Sequence, residues 1–401
     1  MMLLQTGILL DMAGIICQYS GINPQETFLM RSRILLIGAG HAHLEILKNL
    51  DRFTGRGHTV TVVSPSEFHY YSGMGPGMLA GIYTPEETRF AVKEMTETAG
   101  CVFINENVRS FDPDKKSITT DSGNTLFFDY TSLNVGSVIP DIPSAGMVNP
   151  VFSVKPIENF IQLRKRVLEY CGVERVRLIV IGGGAAGIET ASALWRLCSD
   201  NDIPSDLTLV SFSELLAGFS QSVRNAVRRS LLKRRVRIIE GSPVKGITDS
   251  CAELGSGESL SFDIAVNASG TMPPAFIRES GITCGPGGGL LVDSYLRSES
   301  SHHIFGGGDC IDFSPVHLRR IGVYAVRQAP VLLHNLLSVA EGVRLRKFVP
   351  QKKYLGILNT GDSRGVLFRG RFTIVGRTAF FLKDRIDRSF IKRFRYGPRS
   401  G

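Results

Sequence analysis

The feature that most constrains this fold is a glycine-rich phrase that occurs twice in the chain. In the first copy, an apolar run at residues 34–37 ends in Gly38 and Gly40 and leads into a segment with helical periodicity. In the second copy a similar run is followed by all three glycines of the pattern, namely Gly182, Gly184 and Gly187. The third position of the first copy holds His43 instead. A buried strand, a glycine turn and a helix in this order are typical of a turn that binds the diphosphate of a dinucleotide.

The two copies also share the phrase that closes them. In each copy a Phe-Asp pair precedes a glycine by the same interval, from Asp129 to Gly136 and from Asp263 to Gly270. In such a unit the first glycine tightens the turn, and the second lets the diphosphate approach the backbone. The free N–H groups at the start of the helix then face the phosphates. Two units with matched ends indicate an internal duplication, so we expect an α/β fold with two nucleotide-binding units.

Length, composition and charge limit the class of protein. The chain has 401 residues, enough for two or three domains, and its 43% hydrophobic and 21% charged content is ordinary for a soluble enzyme. No apolar run is long enough to predict a membrane-spanning helix. The net charge of the chain is +9, and it is unevenly distributed, because residues 377–401 hold eight basic and two acidic side chains. A basic tail predicts a surface-binding element, and we expect no nucleic-acid partner.

The cysteines and histidines give no metal or redox motif. None of the seven cysteines stands in a C-x-x-C motif or at another close spacing, which argues against a zinc site and a thioredoxin-like pair. Unpaired cysteines fit a reducing cytoplasm. His41 and His43 are too few ligands for a metal, so we expect no metal site. Residues 1–30 lack the basic start of a secretory signal, and we expect an extension that is disordered or not normally made.

Two serines occupy positions at which such units usually bind ribose. The second strand of each unit, at residues 59–63 and 207–210, is followed by Ser64 and Ser211, where an acidic residue is usual. A serine provides only an uncharged and weaker contact. No arginine occurs within residues 212–219 to bind a 2′-phosphate. The sequence therefore leaves the choice between NADH and NADPH open.

Other segments have patterns of their own. Residues 103–130 alternate apolar and polar side chains between turn signals, which predicts a small antiparallel meander. The glycine-rich aromatic loop at residues 68–81 is equally compatible with the wall of a flat-ring site and with a plain packed loop. The remaining predictions are a strand running into Gly-Asp at residues 304–309, a helix at 322–340, a strand-rich segment at 354–375 and a basic helix at 378–395.

Taken together, the two fingerprints, their two closing phrases and the Phe-Gly-Gly-Gly-Asp phrase at residues 305–309 resemble the pyridine nucleotide–disulfide oxidoreductase superfamily. Within it the chain resembles type II NADH:quinone dehydrogenases. The phrases at residues 40–44, 71–77 and 322–328 are most similar to flavoproteins associated with selenophosphate synthetase. The resemblance implies two Rossmann-like domains, the second inserted in the first, plus a small C-terminal segment. It assigns FAD to residues 31–150 and 271–345, NAD(P)H to 151–270, and the C-terminal segment to 346–401.

The resemblance also implies roles for individual residues. Gly38 and Gly40 match the FAD diphosphate turn, and Asp309 matches the acidic residue that binds the ribityl chain. The other residues expected at FAD are His41, in packing or phosphate contact, Ser64, Gly136 and Val323, the last in a helix whose positive end would face the flavin pyrimidine. The residues expected at NAD(P)H are Gly182, Gly184, Gly187, Ser211 and Gly270. Glu189 matches a glutamate near the nicotinamide and is the expected catalytic residue.

The implied activity is transfer of hydride from NAD(P)H to FAD and of electrons to an acceptor. No cysteine occurs between residues 44 and 81, so a disulfide relay is excluded unless distant cysteines meet. We expect a quinone or a similar acceptor, with dioxygen and an external carrier left open. One alternative is a sulfide:quinone oxidoreductase, which would need Cys171 and Cys310. Another is a redox sensor that binds FAD and NAD(H) without turnover.

The basic tail suggests how a lipid-soluble acceptor could be reached. Four apolar residues recur at intervals of four and are predicted to form one helical stripe, namely Leu382, Ile386, Phe390 and Phe394. Cations occupy most of the other positions, a pattern typical of a helix lying on an anionic membrane surface. The alternative is that the stripe packs on the protein itself. We expect a cytoplasmic protein, either free or peripheral at the inner face of the cytoplasmic membrane, and leave a homodimer open.

Overall fold

The computed structural model of the chain describes residues 31–145, 149–172, 175–248 and 250–395. The expectation for residues 1–30 lies outside these residues. Within them, no helix combines the length and the apolar content that crossing a bilayer requires.

The first part of the chain contains short strands and short helices. The strands are β1 (Arg33–Ile37), β2 (Thr59–Val63), β3 (Phe68–Tyr70), β4 (Arg89–Ala91), β5 (Val102–Ile104), β6 (Val108–Asp112), β7 (Ser117–Thr120), β8 (Thr125–Phe127), β9 (Tyr130–Leu133) and β10 (Ser144–Ala145). The helices are α1 (Leu44–Lys48), α2 (Asp51–Thr54), α3 (Gly75–Leu79) and α4 (Val92–Thr98).

The second part alternates strands with longer helices. The strands are β11 (Val151–Ser153), β12 (Val176–Ile181), β13 (Ser205–Val210), β14 (Arg237–Ile239), β15 (Val244–Thr248), β16 (Cys251–Leu254), β17 (Ser259–Ser261) and β18 (Ile264–Asn267). The helices are α5 (Asn159–Leu168), α6 (Ala185–Asp200) and α7 (Gln221–Lys233).

The last part returns to the first sheet and then forms a C-terminal segment. The strands are β19 (Leu290–Val292), β20 (Ile304–Gly306), β21 (Ile311–Phe313), β22 (Gly356–Asn359), β23 (Gly365–Arg369) and β24 (Phe372–Gly376). The helices are α8 (Ala275–Glu279), α9 (Gly322–Ala340) and α10 (Arg377–Phe394).

Two parallel five-stranded sheets carry the two glycine phrases. Their strand orders are β20-β9-β1-β2-β5 and β11-β18-β12-β13-β14, with the strand before the glycine turn at the centre of each. Along the chain, β20 of the first sheet comes only after all five strands of the second sheet. The predicted α/β fold, with one unit inserted into the other, is therefore confirmed. Because carboxyl ends of parallel strands meet at one edge, each glycine turn lies beside the closing phrase of its own unit.

Each sheet buries its own core under helices. Leu332 and Leu336 of α9 are fully buried in the first core, and Ile188 and Leu194 of α6 are fully buried in the second. A buried side chain of this size contributes about 1.5–3 kcal/mol. The predicted helix at 322–340 is confirmed over its whole length, and Pro330 lies inside it without ending it.

The predicted meander at residues 103–130 is only partly correct. The strands β6, β7 and β8 form an antiparallel sheet, but β5 and β9 at the two ends of the segment belong to the first parallel sheet. Short strands of parallel and antiparallel sheets can show the same alternation of apolar and polar side chains. The pattern therefore could not separate the flanking strands from the meander.

The C-terminal segment contacts both units. The strands β22 to β24 form an antiparallel sheet, and Asp362 forms an ion pair of 2.7 Å with Arg234, which directly follows α7. Helix α10 reaches the first unit, where Arg393 pairs with Glu45 of α1 at 2.8 Å. This segment therefore packs where the two units approach each other.

The prediction of one apolar stripe along α10 is wrong. Phe394 is buried and Phe390 packs against the first core, whereas Leu382 and Ile386 are 40% and 42% exposed. Four residues turn an α-helix through about 400°, so each interval of four drifts about 40° around the axis. Over three intervals the drift adds up to about 120°, so Leu382 and Phe394 lie on different sides of the helix. The helix therefore has an inner apolar face that packs on the protein and an outer apolar face that is exposed.

Candidate functional site

A cavity of about 510 Å³ opens at the carboxyl edge of the first sheet. Six of the predicted site residues line it, namely Gly38, Gly40, His41, Ser64, Gly136 and Asp309. They come from the ends of β1, β2, β9 and β20, which the parallel pairing brings to one edge. The volume lies within the range of cofactor sites. Val323 does not line the cavity; its neighbours in α9, Gly322 and Ala325, do.

The glycines of the first turn are required by a close neighbour in the protein. Gly38 has a φ of +80°, and a Cβ there would lie 2.6 Å from the carbonyl oxygen of Asn134. A Cβ on Gly40 would lie 2.6 Å from the Asn134 side-chain oxygen. The turn is therefore packed directly against the residue that follows β9.

Asn134 braces the turn that leads into α1. Its Oδ1 accepts hydrogen bonds from the amides of Ala42 and His43 at 2.9 and 3.2 Å, and its Nδ2 donates to the Gly307 carbonyl at 2.6 Å. Both amides belong to the turn before α1, which begins at Leu44, so they are used within the protein. The sequence pattern did not predict this role of Asn134. A signal was present, because Asn134 lies five residues after Asp129, and the corresponding position of the second unit, five residues after Asp263, holds Ala268.

His43 takes the place of the third glycine for a structural reason. Its ring is fully buried, with Nδ1 2.6 Å from the Gly38 carbonyl and Nε2 2.8 Å from the Ser132 hydroxyl. A carbonyl can only accept, so Nδ1 carries the proton and Nε2 accepts from the hydroxyl. Burial lowers the pKa of His43 to about 4, which leaves the ring neutral at neutral pH. Both ring nitrogens of His43 are therefore used within the protein, and the ring holds the turn together.

The Asp309 carboxylate lies in a polar group at the other side of the cavity. Its Oδ2 accepts from the Ser137 hydroxyl and from Lys155 Nζ, both at 2.9 Å. All three residues line the cavity. No sequence pattern pointed to Lys155, because it follows β11 at the start of the second unit and belongs to neither glycine phrase.

The residues of this cavity fit FAD. The glycine turn is placed for a diphosphate, the half-buried carboxylate of Asp309 can accept from ribityl hydroxyls, and the first turn of α9 lines the same cavity. Gly136 has a φ of +71° and open space around it, so the backbone there can lie against a ligand. The convergence of these groups from four separate segments agrees with the predicted FAD site.

The second glycine turn is open where the first is filled. A Cβ on Gly182 would lie 2.2 Å from the Ala268 carbonyl, and one on Gly187 would lie 1.9 Å from the Gly182 carbonyl, so both are needed for packing. Gly184 precedes α6 and would place a Cβ in open space. Ser211 is buried at the end of β13, and Gly270 has a φ of +87°. These residues lie at the carboxyl edge of the second sheet, beside α6.

Glu189 is not among the residues that line the cavity, and its side chain contacts the C-terminal segment. It is on α6, and its carboxylate accepts from the Asn359 amide at 2.8 Å. Burial raises the pKa of Glu189, partly offset by the nearby charge of Lys383. The structure therefore places the predicted catalytic glutamate in a buried ionisable group.

Helix α10 supplies the rest of that group. Lys383 Nζ donates to the Gly73 carbonyl at 2.5 Å and to Asp387 Oδ2 at 2.6 Å, and the Tyr71 hydroxyl donates to Asp387 Oδ1 at 3.1 Å. Burial raises the pKa of Asp387. For Lys383 the charges of Asp387 and Glu189 outweigh burial and raise its pKa. The one sequence signal was the spacing of four between Lys383 and Asp387.

The described cysteines do not reach the cavity. Cys310 is fully buried, with its thiol 3.3 Å from the Gly307 carbonyl, and burial raises its pKa to about 12. Cys171 is exposed, and neither it nor Cys310 is among the cavity residues. A thiolate at the flavin-type cavity is therefore not provided by the described part of the chain.

Comparison with known proteins gives matches along most of the chain. The sequence profile of the pyridine nucleotide-disulphide oxidoreductase family matches residues 32–331. A type II NADH:quinone oxidoreductase of Staphylococcus aureus is 22% identical over 89% of this chain and 94% of its own length. The mitochondrial internal alternative NAD(P)H-ubiquinone oxidoreductase A1 of Arabidopsis thaliana is 21% identical over 73% of this chain and 63% of its own length. The structure of the sulfide:quinone oxidoreductase of Aquifex aeolicus superposes with a TM-score of 0.76, at 18% identity over 90% of this chain and 91% of that one.

Proposed function

The chain belongs to the pyridine nucleotide-disulphide oxidoreductase family, and on this basis we propose that it passes electrons from NAD(P)H through FAD to a quinone. The observation that carries the proposal is a flavin-type cavity lined by the turn at Gly38 and by Asp309, with no described cysteine in its wall. A type II NADH:quinone oxidoreductase related over nearly its whole length supports the same activity.

The proposal assigns FAD to residues 31–150 and 271–345, and NAD(P)H to residues 151–270. The two parallel sheets, each with its own glycine turn, support these boundaries. FAD, when bound, accepts hydride from a reduced nicotinamide and gives up electrons to an acceptor. The protein contributes the two glycine turns, which would bind the nucleotides, and ionisable side chains that can hold and transfer protons.

The buried group at α10 is proposed to supply the proton that the acceptor needs. A quinone becomes a quinol by taking up two electrons and two protons, and NADH carries only one of these protons in its hydride. Burial raises the pKa of both Glu189 and Asp387, which favours the protonated form of each carboxyl. Lys383 and the Tyr71 hydroxyl are hydrogen-bonded to Asp387 and can pass a proton to it. Glu189 is thus proposed to act in proton transfer rather than in hydride transfer.

The surroundings of Ser211 favour NADH over NADPH. Two arginines of α7 lie near the loop after β13, where Arg224 donates to the Leu215 carbonyl. Arg224 is ion-paired with Glu214, and Arg228 is ion-paired with Glu240. A 2′-phosphate would have to compete with these carboxylates for its partners, whereas ribose hydroxyls need no cation.

The sulfide:quinone alternative has less support. The likeness to the Aquifex aeolicus enzyme, at 18% identity, concerns the fold alone. The Cys310 thiol is buried with a raised pKa, and Cys171 is exposed elsewhere. The redox-sensor alternative assigns no role to the buried group of Glu189, Lys383 and Asp387.

Anaerobic flavin spectroscopy tests the proposal. NADH should bleach the FAD absorbance faster than NADPH, and a short-chain quinone should restore it. The double variant C171S/C310S should behave in the same way. Bleaching by NADH without reoxidation by any quinone would leave the sensor alternative. Bleaching by sulfide that is lost in the cysteine variant would establish the sulfide:quinone alternative instead.

We also propose that the enzyme docks on an anionic membrane, at the inner face of the cytoplasmic membrane. Helix α10 and strand β24 expose six large apolar side chains, namely Phe372, Ile374, Val375, Phe381, Leu382 and Ile386, with Phe381 66% exposed. The exposed cations Arg371, Arg377 and Arg385 flank them. Apolar side chains bordered by cations favour an interfacial position on anionic lipid.

Vesicle sedimentation tests this docking. The triple variant F381S/L382S/I386S should bind anionic vesicles at least about tenfold less, because each lost side chain removes apolar burial. The matched control V343S/V349S changes exposed apolar residues outside the patch and should bind normally. Equal binding by both variants, or no binding of the unchanged protein at low salt, would refute docking through this face.

A further inference from the structure

Two histidines from separate segments form a pair in the wall of the flavin-type cavity. His41 follows the first glycine turn, and His69 lies on β3. His41 Nδ1 is 3.2 Å from His69 Nε2, and the two rings meet edge to face with centroids 4.7 Å apart. Both residues line the cavity. One nitrogen of each ring is therefore committed to the other ring.

The pair is set among aromatic rings. His41 is stacked at 6.0 Å on Phe390 of α10 and lies 5.3 Å from the Tyr71 ring, while His69 is stacked at 6.0 Å on Phe90. These rings come from three different segments of the chain, so the surrounding is a built feature rather than a local consequence of one turn. It offers flat, largely apolar surfaces with the imidazole nitrogens as its polar atoms.

Both imidazoles are neutral. Burial lowers the pKa of His41 to about 4, and the charge of Lys155 acts in the same direction. Burial also lowers the pKa of His69, and electrostatic interactions with His41 and Lys155 lower it further. A neutral imidazole has one N–H and one bare nitrogen. Whichever ring donates in the shared bond, the free nitrogens of the pair are then one donor and one acceptor.

One of these free nitrogens has no partner in the protein. His41 Nε2 is enclosed and forms no hydrogen bond among the described residues. Buried polar atoms without a partner are uncommon and cost stability, and a bound ligand can supply the missing partner. His43, a second buried histidine nearby, uses both of its nitrogens within the protein, whereas the unpaired nitrogen of His41 lies in the wall of a cavity.

We propose that the pair recognises an uncharged polar edge of the isoalloxazine ring of bound FAD. His41 is the contacting residue, and His69 is a positioning residue that fixes the tautomer of His41. A neutral pair among flat rings suits a flat, uncharged ring system with donor and acceptor atoms on its edge. A diphosphate would call for a cation, and the neighbouring cation Lys155 works against protonation of the pair. The inference rests on the proposed FAD site and adds its ring-recognising residues.

Binding of FAD and of ADP to the apoprotein tests this assignment, because ADP has the same diphosphate and adenosine but lacks the isoalloxazine. The variant H41F keeps a flat ring and removes both nitrogens. It should bind FAD about 3- to 10-fold less tightly, the loss expected for one neutral hydrogen bond, and bind ADP unchanged. Equal weakening of both ligands would move the pair to the diphosphate and overturn the assignment, as would no weakening of either.

The role of His69 has its own readout. H69F should weaken FAD binding and shift the visible absorption bands of bound FAD, whereas H69Q, whose amide can donate to His41 Nδ1, should restore both. H302F changes an exposed histidine outside the cavity and serves as the matched control. Failure of H69Q to restore binding and spectrum would show that His69 acts by packing alone. An unchanged protein that binds ADP but no FAD would refute the proposed cofactor itself, which separates that failure from failure of the pair.

Discussion

The two nucleotide units begin in the same way and diverge at their ligand turns. In the first, the Arg33 amide and Nη2 donate to Asp129 at 2.7 and 2.9 Å; in the second, the same atoms of Arg177 donate to Asp263, both at 2.7 Å. The clamp joins the start of the central strand to the closing phrase of each unit. Its repetition, atom for atom, supports the duplication that the sequence indicates.

The divergence concerns what fills each turn. In the first unit the second glycine lies against Asn134 and the third position is filled by the bonded ring of His43. In the second unit the corresponding neighbour is Ala268, whose methyl cannot accept a hydrogen bond, and Gly184 faces open space. The first turn is thus braced by the protein itself, whereas the second has open space at its middle glycine. This difference fits a resident flavin in one unit and an exchanging nicotinamide nucleotide in the other.

The largest effect that would sharpen this comparison is expected from Gly184→Val. The side chain has room in the protein, so its cost should fall on the ligand, whose diphosphate would occupy that space. Flavin reduction by NADH in a stopped-flow instrument should slow by at least about 100-fold, the order expected when a reacting group is displaced. Reduction by dithionite and the FAD content should stay normal. The equivalent change Gly40→Val should instead damage the first unit, since it collides with Asn134. Normal NADH reduction in G184V would mean that the nucleotide binds elsewhere.

The next effect concerns the brace itself. Asn134→Ala makes the first unit resemble the second and leaves two amides and the Gly307 carbonyl without their partner. The free energy of unfolding should fall by about 2–4 kcal/mol, as for a broken buried hydrogen-bond network. Chemical denaturation followed by circular dichroism measures this loss. A change below about 0.5 kcal/mol would mean that water replaces the brace and that the two turns are equivalent after all.

Much of this comparison could be predicted from the sequence, because its signals are local. The duplication, the strand at residues 59–63 and the helix at 322–340 follow from patterns within a few turns of chain. Asn134 and Lys155 could not be predicted, since their partners lie more than 90 residues away. The buried group at Asp387 was missed for the same reason, because it joins α10 to the loop after β3.

A smaller effect, confined to the first unit, is expected from Asp309→Asn. The change removes the charge that Lys155 and the ribityl hydroxyls would share, while it keeps the size of the side chain. FAD should dissociate about 10- to 100-fold more readily, since hydrogen bonds to a charged group contribute about 1.5–3 kcal/mol. Binding of NAD⁺ to the second unit, measured by calorimetry, should change less than about twofold. Parallel losses of both nucleotides would contradict two independent sites.

The smallest effect tests the part that the units have in common. Asp129→Asn and Asp263→Asn each remove one charge from the same clamp, and each should lower the free energy of unfolding by about 1 kcal/mol or less, because the pairs are partly exposed.

Hydrogen bonding to Arg33 and to Arg177 holds the pKa of the two carboxyls below the ordinary value. A carboxyl with a depressed pKa stabilises the fold above its unfolded pKa of about 4 and loses that contribution as the pH falls through the lower, folded value. The difference between each variant and the unchanged protein should therefore be constant above about pH 5 and shrink below about pH 4. Asp263 is less exposed than Asp129, 20% against 39%, so its effect should be the larger of the two. Urea denaturation of both variants between pH 3 and 7 measures this, and a difference of several kcal/mol between them would show that the shared clamp is not used alike in the two units.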